Sequence, residues 1–296
     1  MKAIKLSKGD RIFDVVNYVI LSIILLIIFY PLYFIFIASF SDPTYVNNGK
    51  MLLWPVGWMT LGYEKVFQYK DVWIGFRNTI LYAVCGTSLN VALTMGIAYT
   101  LSRRSFVGKK ALIVFILIPM FFGGGLVPTY LLVKDLGLYN TPLIMIIMGA
   151  VSIFNVIIAR TFIQVSIPEE LYEAAQIDGC NHFTYFFRII LPLSSSIIAV
   201  LVLYYGVDHW NEFFTALIYL NDKNLFSLQL VLRGILIESA VQSDLVAGAE
   251  DAVRRQREME QLKYALIIMT SLPMLIVYPF LQKYFVKGVM IGAVKA

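Results

Sequence analysis

The segment SIPEELYEAAQIDGCNHFTYFFRIILP, residues 166–192, is a long polar interruption between two apolar runs of membrane length, and its pattern governs how the rest of the chain is read. Ser166 stands where an N-cap would, Pro168 occupies a first-turn position whose N–H no helix needs, and Glu169 sits at capping-box spacing. A helix is therefore predicted to start here and to stop near Gly179. Between these marks Leu171, Ala174, Ala175 and Asp178 recur at three- and four-residue spacing, so one face carries small side chains that another protein's backbone can approach. Glu169, Glu170 and Glu173 keep the remainder in water. A second short helix is predicted from Asn181 through Phe183, Phe186, Phe187 and Ile190, feeding Pro192 and the next span. Together the two make a docking elbow.

Composition sets the class independently. Of the 296 residues 59% are hydrophobic and 15% charged, with mean hydropathy +0.75, whereas soluble domains carry about 25% charged residues. The chain is read as an all-α integral membrane protein. Apolar runs fall at 15–41, 78–102, 111–133, 136–159, 189–220 and 264–282, each near or above the roughly 18 to 20 residues a spanning helix needs. Six transmembrane helices in a single domain, 1–296, are predicted. The fifth run is broken by a polar cluster after Val207 and resumes at Phe213.

Short loops carry the positive-inside signal. The loop 102–110 holds Arg103, Arg104, Lys109 and Lys110 with no acid, whereas 134–141 holds one lysine and one aspartate. The first is assigned to the cytoplasm. That assignment puts the elbow, 164–192, inside, together with the N-terminus (Lys2, Lys5, Lys8, Arg11) and the C-terminus (Lys283, Lys287, Lys295). The net charge of +5 then reflects orientation and attraction to lipid headgroups, and no nucleic-acid patch is seen. The first run is about twice the length of a signal core and continues into Tyr30, Tyr33 and Phe36, so a retained span is expected. Cys85 and Cys180 fall at different membrane levels and are expected to stay thiols.

Two further segments stand out. The loop 42–77 carries Trp54, Trp58, Tyr63, Phe67, Tyr69 and Trp73, an interfacial composition expected to anchor at headgroup level, with direct contact to a partner as the alternative. The segment 221–263 is too polar to span, and 245–263 reads as a charged helix with Glu250–Arg254 and Asp251–Arg255 at supportive spacing. It is assigned outside the membrane, as a solvated connection or as a landing surface for an external protein. Gly123, Gly124 and Gly125 are expected to let helices pack closely or to line a cavity with backbone.

The candidates for touching a transported molecule are the groups a bilayer penalises. Asp208, Asn211 and Glu212 share one helical face, with Trp210 and Phe214 beside them. Carboxylates at membrane depth cost a few kcal/mol or more unless they face a wet cavity or a partner. Aromatic rings beside carboxylates and amides suit a sugar, which offers both an apolar C–H face and hydroxyls. The alternative is an ordinary interfacial cap at the end of the span.

Glu173-Ala174-Ala175, then Gly179, then Ile189, Leu191 and Pro192 together resemble the cytoplasmic coupling loop of ATP-binding-cassette importer permeases. Trp210-Asn211-Glu212-Phe213 resembles the fifth-span pattern of the carbohydrate (maltose-type) branch, as does the tail with Pro279, Phe280, Gln282, Lys283, Gly288 and Gly292. The run 123–130 and Asn155-Val156-Ile157-Ile158 are similar to permeases for oligosaccharides from degraded polysaccharides, uronate-containing ones included. The resemblance implies an ATP-driven importer working by alternating access, with Glu173, Ala174, Ala175, Asp178 and Gly179 gripped by a separate ATPase dimer that carries ATP and Mg. It implies as further partners a second homologous permease and an external substrate-binding protein, and a tail, 292–296, that reaches toward the ATPase.

No phosphate loop of the G-x-x-x-x-G-K-[ST] type, no H-E-x-x-H and no G-x-S-x-G occurs in the sequence, so neither ATP hydrolysis, a metal site nor hydrolytic chemistry is expected in this chain itself. A self-contained channel or ion-coupled transporter, with Asp208 and Glu212 as ion sites, is the rival. It leaves the elbow unexplained.

Overall fold

Residues 8–245 and 250–293 are described by a computed structural model, and every ordered element in them is helical. The chain divides into two units, one drawn from Met1–Tyr69 and Gly234–Ser271, the other from Lys70–Arg233 and Leu272–Ala296.

In the first unit α1, Lys8–Ala38, is a helix of 31 residues whose only buried side chains are Ile37 and Ala38. At about 1.5 Å per residue it is long enough for a bilayer. Asp42 accepts the Thr44 N–H at 2.8 Å and so caps the short α2, Pro43–Asn47. The helix α3, Leu61–Gln68, follows. Ile37, Ala38, Val46 and Met51 make a small core that Tyr264 joins. The polar residues just before Tyr264 are engaged: Asn47 donates to Glu260 at 2.6 Å, Lys65 pairs with Glu258 at 3.2 Å, and Gln261 donates to the Met59 carbonyl at 3.1 Å. This part of the predicted solvated helix therefore seats on α2 and α3. The expected Glu250–Arg254 and Asp251–Arg255 pairs lie outside the described side chains.

The second unit is organised on α4, Lys70–Ser102, a 33-residue helix without a break. It begins eight residues before the predicted span, because Asp71 to Arg77 continue its turns into the aromatic loop. Asn78 and Tyr82 donate to the carbonyls of Asn224, Phe226 and Leu225 at 2.7, 3.1 and 2.8 Å, and Thr79 Oγ1 accepts the Leu228 N–H at 2.8 Å. These side chains satisfy an irregular stretch of backbone, which apolar surroundings would otherwise penalise.

The third predicted span is two helices, α5, Lys109–Phe121, and α6, Leu126–Asp135, bent by 112°. Gly125, at φ +82°, sits at the break, and nothing lies within 4 Å of a Cβ built on Gly123 or Gly124. Within this chain the two glycines border open space, and Gly125 supplies the left-handed residue at which the chain turns. The fourth span is likewise divided, into α7, Pro142–Ile147, and α8, Ile153–Ser166.

Because α8 runs through Ser166, that residue ends a helix and does not cap the next one, α9, Glu170–Ile177. Then come α10, His182–Tyr185, a π-helical turn at Phe186–Ile190, and α11, Leu191–Leu193. An 80° bend at Ser194 leads into α12, Ser195–Asn211. The fifth predicted span stops there and restarts as α13, Phe214–Tyr219. The last helices are α14, Leu228–Leu245, and α15, Glu250–Ala293.

Among the described residues three helical stretches (α1, α4 and Arg257–Phe280 of α15) are long and apolar enough to cross a membrane, and counting each bent pair as one span brings the number up to five. The predicted third and fifth runs are each broken by a sharp bend. Hydropathy registers apolar length but not the breaks introduced by Gly125 or by the Met148–Ser152 stretch. The main core of this unit gathers Met95, Ala98, Ile163, Tyr185, Ile190 and Leu201 from α4, α8, α10, the π turn and α12.

Candidate functional site

The elbow closes as its sequence predicts at the far end. Gly179, at φ +73°, takes the left-handed position after α9, where Gly179 N–H bonds the Gln176 carbonyl at 3.0 Å and Cys180 N–H the Ala175 carbonyl at 2.8 Å. That double pairing is a Schellman stop. Asn181 accepts the Thr184 N–H at 2.8 Å and caps α10 as predicted.

The expected face of small side chains is divided. Ala175, 7% exposed, joins the core with Tyr172 and Tyr185, whereas Leu171, Glu173, Ala174 and Asp178 face outward. So do Ile177, 88% exposed, and Phe183, 78% exposed. The outward patch of the elbow is thus acidic and apolar together.

Beneath it lies a group the sequence pattern did not single out. Arg103, 6% exposed, follows the last residue of α4. Its guanidinium lies 5.2, 5.1 and 5.6 Å from the ring centroids of Tyr99, Tyr172 and Tyr185 and 3.6 Å from the Glu169 carboxylate. His182 stacks on Tyr172 at 5.5 Å and contacts the hydroxyls of Tyr99 and Tyr172 at 3.2 Å. The carbonyls of Leu101 and Ser102, the last of α4, accept from Arg160 and Gln164 at 3.1 and 3.3 Å, and that of Arg103 just beyond accepts from Lys109 at 3.4 Å, which suits the negative end of a helix dipole. Counting charges in 102–110 yields orientation only. The burial of one of them emerges when its three tyrosines, distant in sequence, are brought together.

At the end of α12 a cavity of about 470 Å³ is lined by Asn90, Tyr205, Asp208, His209, Asn211, Glu212, Phe213 and Phe214, among others. Asp208, Asn211, Glu212 and Phe214 are thereby brought together as predicted from spacing. Trp210 is not among them. It is 5% exposed, meets Phe76 edge-on at 5.9 Å, and lines a separate apolar groove on the other side of α12. Helical geometry explains the split, since Trp210 lies two positions from Asp208 and turns to the opposite flank.

Glu212 has a structural duty besides: its Oε1 accepts the Thr215 N–H at 2.8 Å, and its carbonyl accepts from Ser227 at 3.0 Å. The capping role and the cavity position thus coexist in one residue. Behind the cavity, a polar ladder joins α4 to α12. The Asn90 amide nitrogen meets His209 Nε2 at 3.1 Å, and Thr94 meets the Tyr205 hydroxyl at 2.7 Å. The Ser152 N–H donates to the same hydroxyl at 3.1 Å. Asn90 Oδ1 keeps no hydrogen-bond partner, which leaves an acceptor beside the cavity. Among the described residues lining it there is no lysine or arginine. A cation stands behind one wall, however, where the Arg233 guanidinium lies 5.4 Å from the Phe213 ring centroid.

Comparison with known proteins yields a consistent set. Residues 91–291 match the family described as binding-protein-dependent transport system inner membrane component. The chain is 39% identical to Protein LplC of Bacillus subtilis over 98% of its own length and 97% of the relative. It is 37% identical to the polygalacturonan/rhamnogalacturonan transport system permease protein YtcP of the same organism, over 97% and 99%. Among solved structures it is similar to a bacterial ABC transporter involved in the import of the acidic polysaccharide alginate, with a TM-score of 0.84 and 32% identity over 96% of this chain and 100% of that one.

Proposed function

The chain belongs to the family of binding-protein-dependent transport system inner membrane components, and on that premise we propose that it is the permease subunit of an ATP-binding-cassette importer for oligosaccharides, uronate-containing ones among them. The observation that carries the proposal is the elbow: two short helices joined by a left-handed glycine stop, with Glu173, Ala174, Asp178 and Ile177 outward. A docking surface needs that combination of exposed apolar and charged groups on a fixed frame.

Under this proposal the elbow is cytoplasmic, as are both termini, and the chain crosses the bilayer six times when the bent pairs and divided stretches are counted as crossings. Glu173, Ala174, Ala175, Asp178 and Gly179 form the ATPase-coupling segment, with Ala175 holding it from the inside. ATP and Mg belong to a dimer of separate ATPase subunits. A two-fold motor calls for two docking loops, and one chain supplies one, so a second homologous permease completes the membrane part. An external binding protein delivers the sugar. The tail at 292–296 is proposed to reach the ATPase; it lies mostly outside the described residues.

The cavity on α12 is the proposed substrate pathway. Asp208 and Glu212 accept hydroxyl protons, the Asn211 and Asn90 amides bond further hydroxyls, and Phe213 and Phe214 cover the apolar face of a ring. Uronate carboxylates would be repelled by Asp208 and Glu212 and are assigned to Arg233, reached past Phe213.

Uptake of labelled oligogalacturonate and of a neutral oligosaccharide into proteoliposomes holding the whole transporter tests this. Uptake is expected to require internal ATP and to survive collapse of ion gradients. Asp208→Asn is expected to lower uptake of both sugars severalfold, and Arg233→Gln to lower that of the uronate sugar alone. Uptake that needs no ATP and follows an ion gradient would establish the ion-coupled alternative instead.

A further inference from the structure

We infer that Arg103 is a positioning residue that pins the coupling helix α9 to the cytoplasmic end of α4, so that a displacement of the elbow is delivered to α4 and through it to the cavity. The inference rests on the proposal that the elbow is where an ATPase pulls.

A buried guanidinium is costly to desolvate and persists where its surroundings compensate it. Here three tyrosine rings from three separate elements surround it, Tyr99 of α4, Tyr172 of α9 and Tyr185 of α10, all within 5.6 Å of its centre. Glu169, at the entry to α9, supplies the counter-charge at 3.6 Å. Arginine suits this place better than lysine because its planar cation stacks on several ring faces at once. A contact that gathers three elements around one side chain makes them move together. It holds no part of α9's outward patch, so it leaves Glu173, Ala174 and Asp178 available.

Beyond the pin lies an unbroken rod. The helix α4 runs from Lys70 to Ser102 with no interruption, and Asn90 and Thr94, on that same helix, meet His209 and Tyr205 of α12. Asn90 stands 13 residues from Arg103, a separation of about 20 Å along a helix. A shift of α9 that Arg103 passes to the foot of α4 therefore arrives at the cavity wall with no flexible joint between. Without the pin the elbow would still meet α4 through the Tyr99–His182 contact and the shared core, but α9 would lose the cation that its own Tyr172 and Glu169 share with the foot of α4, and less of its displacement would be carried over.

The test uses the complete transporter in proteoliposomes, with sugar uptake per ATP hydrolysed as the first readout. The second is hydrogen–deuterium exchange of the α9 amides, which is read whether or not the chain is coupled to an ATPase. Arg103→Met and Tyr172→Leu are expected to assemble, keep basal ATP hydrolysis, lose tenfold or more of uptake per ATP, and exchange the α9 amides at least tenfold faster. Arg103→Lys should lose less, and Tyr172→Phe, which keeps the ring, should stay within about twofold of the parent by the same ring-face contribution. If both core variants fail to assemble, the surface variant Glu169→Gln decides, with a severalfold loss of uptake per ATP expected. Unchanged coupling together with unchanged α9 exchange in any assembled Arg103→Met or Tyr172→Leu variant overturns the inference, and so does unchanged coupling in Glu169→Gln where that variant must decide. A parent transporter without ATP-dependent uptake removes the proposed function, and faster α9 exchange in Arg103→Met would then show the pin without the transmission.

Discussion

At the scale of single residues, two glycines are constrained for different reasons. At Gly86 a Cβ would overlap the His209 ring, so α4 and α12 can close only because that side chain is absent. Overpacking of this kind costs about 1–3 kcal/mol. Gly86→Ala is expected to lower the melting temperature of the purified protein, and adding His209→Ala is expected to restore part of the loss, as thermal unfolding in detergent would register. Gly179 has open space around it and φ +73°, so its requirement lies in the backbone alone. A left-handed L-residue costs roughly 1–2 kcal/mol. Gly179→Ala should therefore impair uptake and Gly179→Val, β-branched, impair it more, with Gly179→Asn mildest and membrane abundance unchanged in all three, as uptake assays and immunoblots of the membrane fraction would show.

At the scale of elements, what the sequence conveys and what it hides divide along local and non-local lines. The stop at Gly179 and the cap at Asn181 were legible because each is decided within a few residues. The start at Ser166 was not, because α8 simply continues through it, and a favourable cap sequence yields to a helix already under way. Asp208 and Asn211 fell together on one face by helical spacing, whereas Trp210 went to the other flank and the cage around Arg103 gathered residues from three separate stretches. The ladder between α4 and α12 was equally hidden, since Thr94 and Tyr205 stand 111 residues apart. Hydrogen bonds between helices in membranes average about 0.6 kcal/mol in mutant cycles. A Thr94→Val and Tyr205→Phe cycle is thus expected to give a coupling energy of about 0.6 kcal/mol, the Ser152 bond to the same hydroxyl cancelling because it is lost in both Tyr205→Phe backgrounds. Unfolding of the single and double variants in detergent would measure it.

At the scale of the whole molecule, apolar length was the easy quantity and straightness the difficult one. The composition and the six runs conveyed a membrane protein, yet α5 and α6 meet at 112° and α12 follows its predecessor at 80°. The break at 122–125 also bears on biogenesis. As it leaves the ribosome, 109–135 is one hydrophobic segment of ample length, and an insertion machinery that senses apolar content would accept it as a single crossing. The 13 residues of α5 are about 20 Å long and could not be accepted alone. On that account sidedness does not depend on the kink. A lesion at Gly125, whose left-handed φ makes the turn, would then leave assays of membrane sidedness unchanged and register in transport.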